Sequence, residues 1–288
     1  MKVDWAPWLA SLLLVTAAAS AQDPVSDLRS YSMVAPSLHD RDRTVRVYLP
    51  PSYTRPDHAE TRYPTVYLLH GWPGSDGNWV KGGKAGETLD HLIATHRIPE
   101  VIAVFPDGRG SGLLGRSVWM DSYDGSKKVE TFMTHDLIAW VDSSFRTMRD
   151  PSRRVLIGLS DGGTGALNLA FRHPDVFGGA GSHSGVFLLS RDLGMGGIVG
   201  PDPGGARILA EHSPRLYAST IADRLKHLVI YFDCGTDDES LPDNRAFHKL
   251  LDSLGVQHEY HEYPGTHDWD YWRDHLDESL EALTARWR

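Results

Sequence analysis

The sequence predicts an α/β protein in which a mostly parallel sheet is covered by helices on both faces. Three observations carry that reading. Short apolar runs without internal alternation recur along the chain, as strands buried on both faces must read. Between them lie segments whose apolar residues return every three or four positions, the period of an amphipathic helix. The two patterns alternate along most of the chain, as strand-helix-strand connections in a parallel sheet require.

Taken in order, Thr44 to Leu49 sets Val45, Val47 and Leu49 against polar neighbours, an early strand with one covered face. Residues 50–64 are turn-rich. Thr65-Val66-Tyr67-Leu68-Leu69 is a buried strand that runs into His70-Gly71-Trp72-Pro73-Gly74, and Val101 to Phe105 is another. Val129, Phe132, Met133, Leu137, Trp140, Val141 and Phe145 form the apolar stripe of a long core-facing helix. Residues 154–158 read as a strand and Thr164 to His173 as a helix with Leu167, Ala170 and Phe171 on one side. Ser190 to Arg207 is rich in glycine and proline and is expected to be a mobile loop, placed to roof a cleft. Leu228 to Phe232 is a further buried strand. Phe247, Leu250, Leu251 and Leu254 mark a helix that Gly255 ends, and His258 to Tyr263 is the last strand.

The first residues indicate a compartment. Lys2, the apolar run Trp8 to Ala19 and the cleavage signal Ala19-Ser20-Ala21 read as a secretory leader over residues 1–21, too short an apolar run for a membrane span. Residues 22–43 are expected to be a lead-in and 44–288 one catalytic domain, since roughly 265 residues suit a single large α/β unit. A single cysteine excludes an intrachain disulfide, and Cys234, at a strand end, reads as a small buried residue. The net charge of −9 and the lack of a basic stripe argue against nucleic acid as a partner.

The chemistry sits on Gly158-Leu159-Ser160-Asp161-Gly162, between the 154–158 strand and the following helix. A serine between two glycines on a strand-to-helix turn is a nucleophile elbow: the glycines let the backbones approach while the hydroxyl is held outward. A serine hydroxyl needs an imidazole base and a carboxylate to orient it, and hydrolases with this elbow supply them in the order serine, acid, histidine. Downstream, the 228–232 strand ends in Asp233-Cys234-Gly235-Thr236-Asp237-Asp238-Glu239, and the last strand is followed by Pro264-Gly265-Thr266-His267. His267 is therefore the expected base and the acid one of several carboxylates. The backbone N–H groups of Trp72, in the glycine-rich turn after the 65–69 strand, and of Asp161 are the expected oxyanion donors. Trp72, Trp119 and Trp269 are candidate aromatic walls for substrate.

Together, Tyr67-Leu68-Leu69-His70-Gly71, Phe105-Pro106-Asp107-Gly108, Gly158-Leu159-Ser160-Asp161-Gly162-Gly163, Gly235-Thr236-Asp237-Asp238 and His267-Asp268-Trp269-Asp270-Tyr271-Trp272-Arg273 resemble the esterase D or putative esterase family over about residues 40–285. That family includes feruloyl and acetylxylan esterases, S-formylglutathione hydrolases and antigen 85 mycolyltransferases. The resemblance implies an α/β-hydrolase fold, with Ser160 as nucleophile, His267 as base and Asp238, the aspartate of Gly-x-x-Asp, as orienting acid ahead of Asp237 and Glu239. Asp161 departs from the family, where methionine is frequent after the serine. Its carboxylate is expected to border the site and disfavour anionic acyl groups.

These readings converge on a secreted or periplasmic serine esterase that forms an acyl-enzyme on a small-molecule or carbohydrate ester, with no cofactor and no metal. An acyltransferase of the antigen 85 type and a non-catalytic binding member of the fold are the alternatives.

Overall fold

The computed structural model describes residues 1, 26–110, 115–192 and 194–287. The expected leader lies outside these, Met1 apart. Eight strands form one sheet: β1 (Asp27–Ala35), β2 (Asp40–Leu49), β3 (Thr65–Leu69), β4 (Ile102–Pro106), β5 (Arg154–Leu159), β6 (Gly179–His183), β7 (Val229–Gly235) and β8 (Glu259–Tyr263). Their order is β1-β2-β4-β3-β5-β6-β7-β8. The first two pairings, β1 with β2 and β2 with β4, are antiparallel; all from β4 to β8 are parallel.

The strands bury both faces by alternation. In β3, Tyr67 and Leu69 enter one core while Val66 and Leu68 enter the other; in β5, Leu156 faces the first and Val155, Ile157 and Leu159 the second. The first core is closed by helical segments around Phe132–Val141, by the helix Asp161–Arg172 and by the helix Leu241–Ser253 through Phe247 and Leu251. The second is closed by the helix Ala85–Ala94 and by Leu276–Thr284, which contributes Leu276, Leu280 and Leu283. This is the expected α/β architecture, and the strand and helix positions read from periodicity recur in it.

Three expectations are corrected. The lead-in is not separate from the sheet: Asp27–Ala35 is β1, and β2 begins at Asp40 rather than Thr44. β1 is a polar edge strand, with only Met33 and Ala35 buried, so it shows no apolar run. The stripe from Val129 to Phe145 is helical, but a π-turn at Phe132–Asp136 separates Val129–Thr131 from Leu137–Ser144. Part of the expected loop is helical: Gly196–Val199 and the start of Gly204–Glu211 are helices, and Met195, Ile198 and Val199 form a small core with Val118 and Met120.

Candidate active site

The parallel strands end on one edge of the sheet, and the site is built from the loops that leave β3, β5, β7 and β8 there. Ser160 follows β5 and precedes the helix Asp161–Arg172. Its backbone has φ +53 and ψ −125, a conformation that costs a non-glycine residue about 1–3 kcal/mol and persists only where the surroundings impose it. Here they do. The Ser160 N–H donates to the His183 carbonyl at 2.8 Å, and its own carbonyl accepts from the Thr164 N–H at 3.0 Å. The flanking glycines are needed for close approach: a Cβ at Gly158 would collide with the Gly162 carbonyl, and one at Gly162 with the Leu69 carbonyl.

The loop after β8 carries His267 to this elbow. Its Nε2 lies 2.9 Å from Ser160 Oγ and its Nδ1 2.9 Å from Asp238 Oδ2. The loops that follow β7 and β8 are tied by N–H donations from Thr236 to the Tyr263 carbonyl (2.8 Å) and from Asp237 to the Gly265 carbonyl (3.0 Å). Asp268, next to His267, caps the helix Trp269–Asp274 by accepting from the Tyr271 N–H at 3.0 Å, and the His267 ring meets Trp272 edge-on at 4.9 Å.

The choice among the three neighbouring carboxylates follows from the turn after β7. Asp237 and Glu239 are exposed, whereas Asp238 is buried and points at His267. Its other oxygen, Oδ1, accepts from the Ser240 N–H at 2.8 Å and the Ser240 hydroxyl at 2.7 Å. Burial alone would raise the Asp238 carboxyl, but hydrogen bonds from His267, Ser240 and Ser184 outweigh it and hold it down to about 2. It is therefore ionised at neutral pH. Cys234 is buried one turn away, its thiol pushed up to about 12 by burial, which fits an inert packing residue.

The turn after β3 lies against the elbow, for a Cβ at Gly71 would stand 3.1 Å from Ser160 Cβ. Trp72 and Asp161 line one small concavity with His70, Gly71 and Trp119. His70 holds the turn in shape. Its Nδ1–H donates to the Gly71 carbonyl at 2.8 Å and its Nε2 accepts from the Gly108 N–H at 3.0 Å, and burial lowers its pKa, so the ring is kept neutral. Asp161 starts a helix, so its N–H has no acceptor in a preceding turn.

One expectation fails on geometry. Trp119 is not an aromatic wall: it is 2% exposed, its indole N–H donates to the His70 carbonyl at 3.1 Å, and its ring fills the space beside Gly108 and Gly165. It supports the turn from behind. The Asp161 carboxylate is paired: Arg116 grips it through Nε (2.7 Å) and Nη2 (2.9 Å). The same guanidinium binds Asp192 at 2.6 Å and lies 4.9 Å from the centre of the Trp72 ring. Trp269 is half-buried against Trp79 and Trp272.

A strand-borne serine elbow, with acid and base on later strand ends, defines an α/β-hydrolase. The chain belongs to the Esterase family, described as "Putative esterase", whose model matches residues 36–283. It is 31% identical over 271 residues to an esterase of Mycobacterium tuberculosis, covering 85% of this chain and 56% of that protein. It is 34% identical over 152 residues to an endo-1,4-beta-xylanase/feruloyl esterase of Xylanibacter ruminicola, covering 52% of this chain and 20% of that protein. The chain thus spans only about half or less of these relatives' length. Among solved structures, a ferulic acid esterase superposes with a TM-score of 0.80 at 27% identity, covering 91% of this chain and 99% of that one.

Proposed function

We propose that this protein is a serine esterase that cleaves carboxylic esters through an acyl-enzyme. The observation that carries the reading is the hydrogen-bonded line Ser160 Oγ, His267, Asp238, with both links at 2.9 Å. Ser160 Oγ attacks the ester carbonyl carbon while His267 Nε2 takes the hydroxyl proton, and Asp238, ionised, holds the Nδ1–H tautomer and stabilises the imidazolium. The tetrahedral oxyanion is held by the N–H groups of Trp72 and Asp161. Collapse expels the alcohol, which receives the proton from His267; water then attacks the acyl-serine by the same route and releases the acid.

The substrate is proposed to be a carbohydrate-linked acetyl or feruloyl ester met outside the cytoplasm. The names of the Xylanibacter relative and of the ferulic acid esterase support the class, and the leader-like residues 1–21 support the location. Arg116 pairs with the Asp161 carboxylate at the elbow and with Asp192 on its other side, so this trio keeps one net negative charge.

Turnover on a panel of esters varied separately in acyl and alcohol parts, with products analysed in the presence of an added sugar alcohol, tests the reading. Free acid as the main product is expected. Acyl transfer to the added alcohol as the dominant outcome would make the protein a transferase, and no turnover together with no labelling by a fluorophosphonate would make it a binding member of the fold.

A further inference from the structure

At the other end of the sheet, the last turns of the helix Leu241–Ser253 and the residue before β8 bring three ligating side chains together: His248, Asp252 and His258. One ligand atom from each lies within 4.8 Å of the other two. His248 and Asp252 share a helix face, being four residues apart. His258 reaches them because the chain reverses at Gly255, with φ +64, where the Gly255 N–H donates to the Asp252 carbonyl and the Val256 N–H to the Leu251 carbonyl, both at 3.0 Å. Aromatic neighbours hold both rings: His258 stacks on Phe232 (5.6 Å, 16°) and His248 on Tyr260 (4.7 Å, 26°).

The contacts in this cluster set ring nitrogens against one another and against a carboxylate. His258 Nδ1–H donates to the Val256 carbonyl at 2.8 Å, so its Nε2 presents a lone pair. That lone pair faces His248 Nδ1 at 2.8 Å. In a neutral His248 the proton then sits on Nδ1, and the Nε2 lone pair is turned toward Asp252 Oδ2, 3.4 Å away. Asp252 Oδ1 is also 3.9 Å from His258 Nε2. Two ring nitrogens and a carboxylate oxygen thus converge within 4.8 Å, the spacing of a metal donor set.

We propose that His248, Asp252 and His258 bind a divalent transition-metal ion of the zinc type, with water completing the coordination. Two imidazole nitrogens and a carboxylate oxygen suit such an ion better than calcium or magnesium, which take all-oxygen sets. A backbone carbonyl on the far nitrogen, as Val256 provides for His258, is the usual device that fixes a ligating imidazole. Two metal–nitrogen bonds of about 2.05 Å at a tetrahedral angle place the nitrogens roughly 3.3 Å apart, so the imidazoles part by about 0.5 Å and the His248 proton moves from Nδ1 to Nε2, which faces Asp252 Oδ2, as the ion enters. Solvent reaches the site past Asp252, which is 61% exposed, while His258 is 3% exposed and forms its floor. The ion takes no part in hydrolysis, since the site is at the N-terminal end of β8 and His267 follows its C-terminal end. It staples the helix Leu241–Ser253 to β8.

The test is calorimetric titration of the full chain, first dialysed against EDTA, with Zn²⁺ alone, and a parallel melting series. Expected are one saturable ion per chain and a Tm that rises with Zn²⁺ concentration. His248→Gln and Asp252→Asn, both outside the hydrophobic core, should weaken binding by at least about tenfold and abolish the Tm rise, with metal-free hydrolysis unchanged. Absence of saturable binding up to about 1 mM overturns the proposal, as does equal affinity in both variants.

Discussion

Among the described residues, two serine-histidine-aspartate arrays lie close together, and only one is built for chemistry. In the first, His267 stands between Asp238 and Ser160 with links of 2.9 Å. In the second, His183 of β6 has Nδ1 2.8 Å from Asp233 Oδ2 and Nε2 3.0 Å from Ser279 Oγ. The distances are nearly the same. What differs is access and alignment. His183 and Asp233 are wholly buried, and neither His183 Nδ1 nor Asp233 Oδ2 makes an aligned hydrogen bond among the described residues. Ser279 sits inside a helix and spends its hydroxyl proton on the Leu276 carbonyl at 3.0 Å. Ser160 instead lies on a strained turn and is partly exposed, beside the exposed His267. The buried array braces the open one, because the His183 carbonyl receives the Ser160 N–H and the neighbouring Ser184 N–H donates to the Asp233 carbonyl at 2.9 Å. Distances alone therefore do not define a triad; a nucleophile must also be reachable and its proton uncommitted.

The sharpest way to break this comparison is to remove each serine. Ser160→Ala should lower kcat by about 10⁶-fold and abolish fluorophosphonate labelling, because covalent catalysis loses its nucleophile. Ser279→Ala should keep both labelling and turnover near the wild-type level. Loss of labelling in the Ser279 variant, with an unchanged melting curve, would reverse the assignment.

Next in size are the two aspartates. Asp238→Asn should cost up to about 10⁴ in kcat while leaving Tm nearly unchanged, since it favours the wrong imidazole tautomer. Asp233→Asn should do the opposite, costing about 3 kcal/mol of stability with a much smaller effect on kcat, since it removes one partner of a buried pair that also accepts from the Tyr271 hydroxyl at 2.9 Å. Asp237→Asn and Glu239→Gln, both exposed, should be mild. Equal losses at 237, 238 and 239 would place the orienting group elsewhere.

A smaller effect is expected on the oxyanion side. Arg116 holds Asp161 by two hydrogen bonds and lies over Trp72, so a single guanidinium braces both residues assigned as donors. Arg116→Ala should lower kcat by about 10–100-fold, less than outright loss of a donor, with a smaller change in KM. A change confined to KM would assign Arg116 to ground-state binding of substrate instead.

The smallest expected effect is in stability and concerns a third histidine-carboxylate group. Glu130 is buried and accepts from Arg172 Nε (2.8 Å), with His173 Nε2 at 2.7 Å and His212 Nε2 at 3.2 Å. Burial opposes its ionisation, but the bonds from His173, His212 and Arg172 outweigh that and hold its pKa well below the ordinary value. A depressed carboxylate contributes stability that is fully present above its unfolded-state pKa and is lost as pH falls below about 4.3 toward the folded value. Glu130→Gln should therefore cost about 2 kcal/mol at neutral pH, and its Tm should fall less steeply than that of the wild type below pH 4. Parallel pH profiles would exclude this role for Glu130.

The main strands and helices were legible in the sequence because their signals are local: apolar runs in β3, β4, β5 and β7, helical spacing in 161–172 and 241–253, and glycines at turns. β6 was not legible. Its residues Gly179-Ala180-Gly181-Ser182-His183 are all buried, and the first four are small: a Cβ at Gly181 would meet Leu283 of the covering helix at 3.0 Å. Nor was the helix Gly196–Val199, which is held by Val118 and Met120, some 75 residues earlier in the chain. The elbow at Ser160 and the base His267 could be read from turn chemistry and chain order. Ser240, two residues after Asp238, carried a faint signal as a side-chain-bonded turn.

What the sequence determined by itself was the kind of chemistry, since an elbow is made by its own glycines and a strand by its own periodicity. The Gly-x-x-Asp resemblance already put Asp238 ahead of its neighbours; what only the tertiary structure decided was that Asp238 is the buried carboxylate that faces His267, that Arg116 pairs with Asp161 and Asp192, that Trp119 is buried against the turn, and which of two similar arrays is exposed. Each of these depends on contacts between segments 29 to 107 residues apart in sequence, from Asp238–His267 to Ser160–His267. The physical reason is that burial and charge pairing belong to the packed chain: a carboxylate acquires its direction, its ionisation and its partner only when another strand's loop is laid against it.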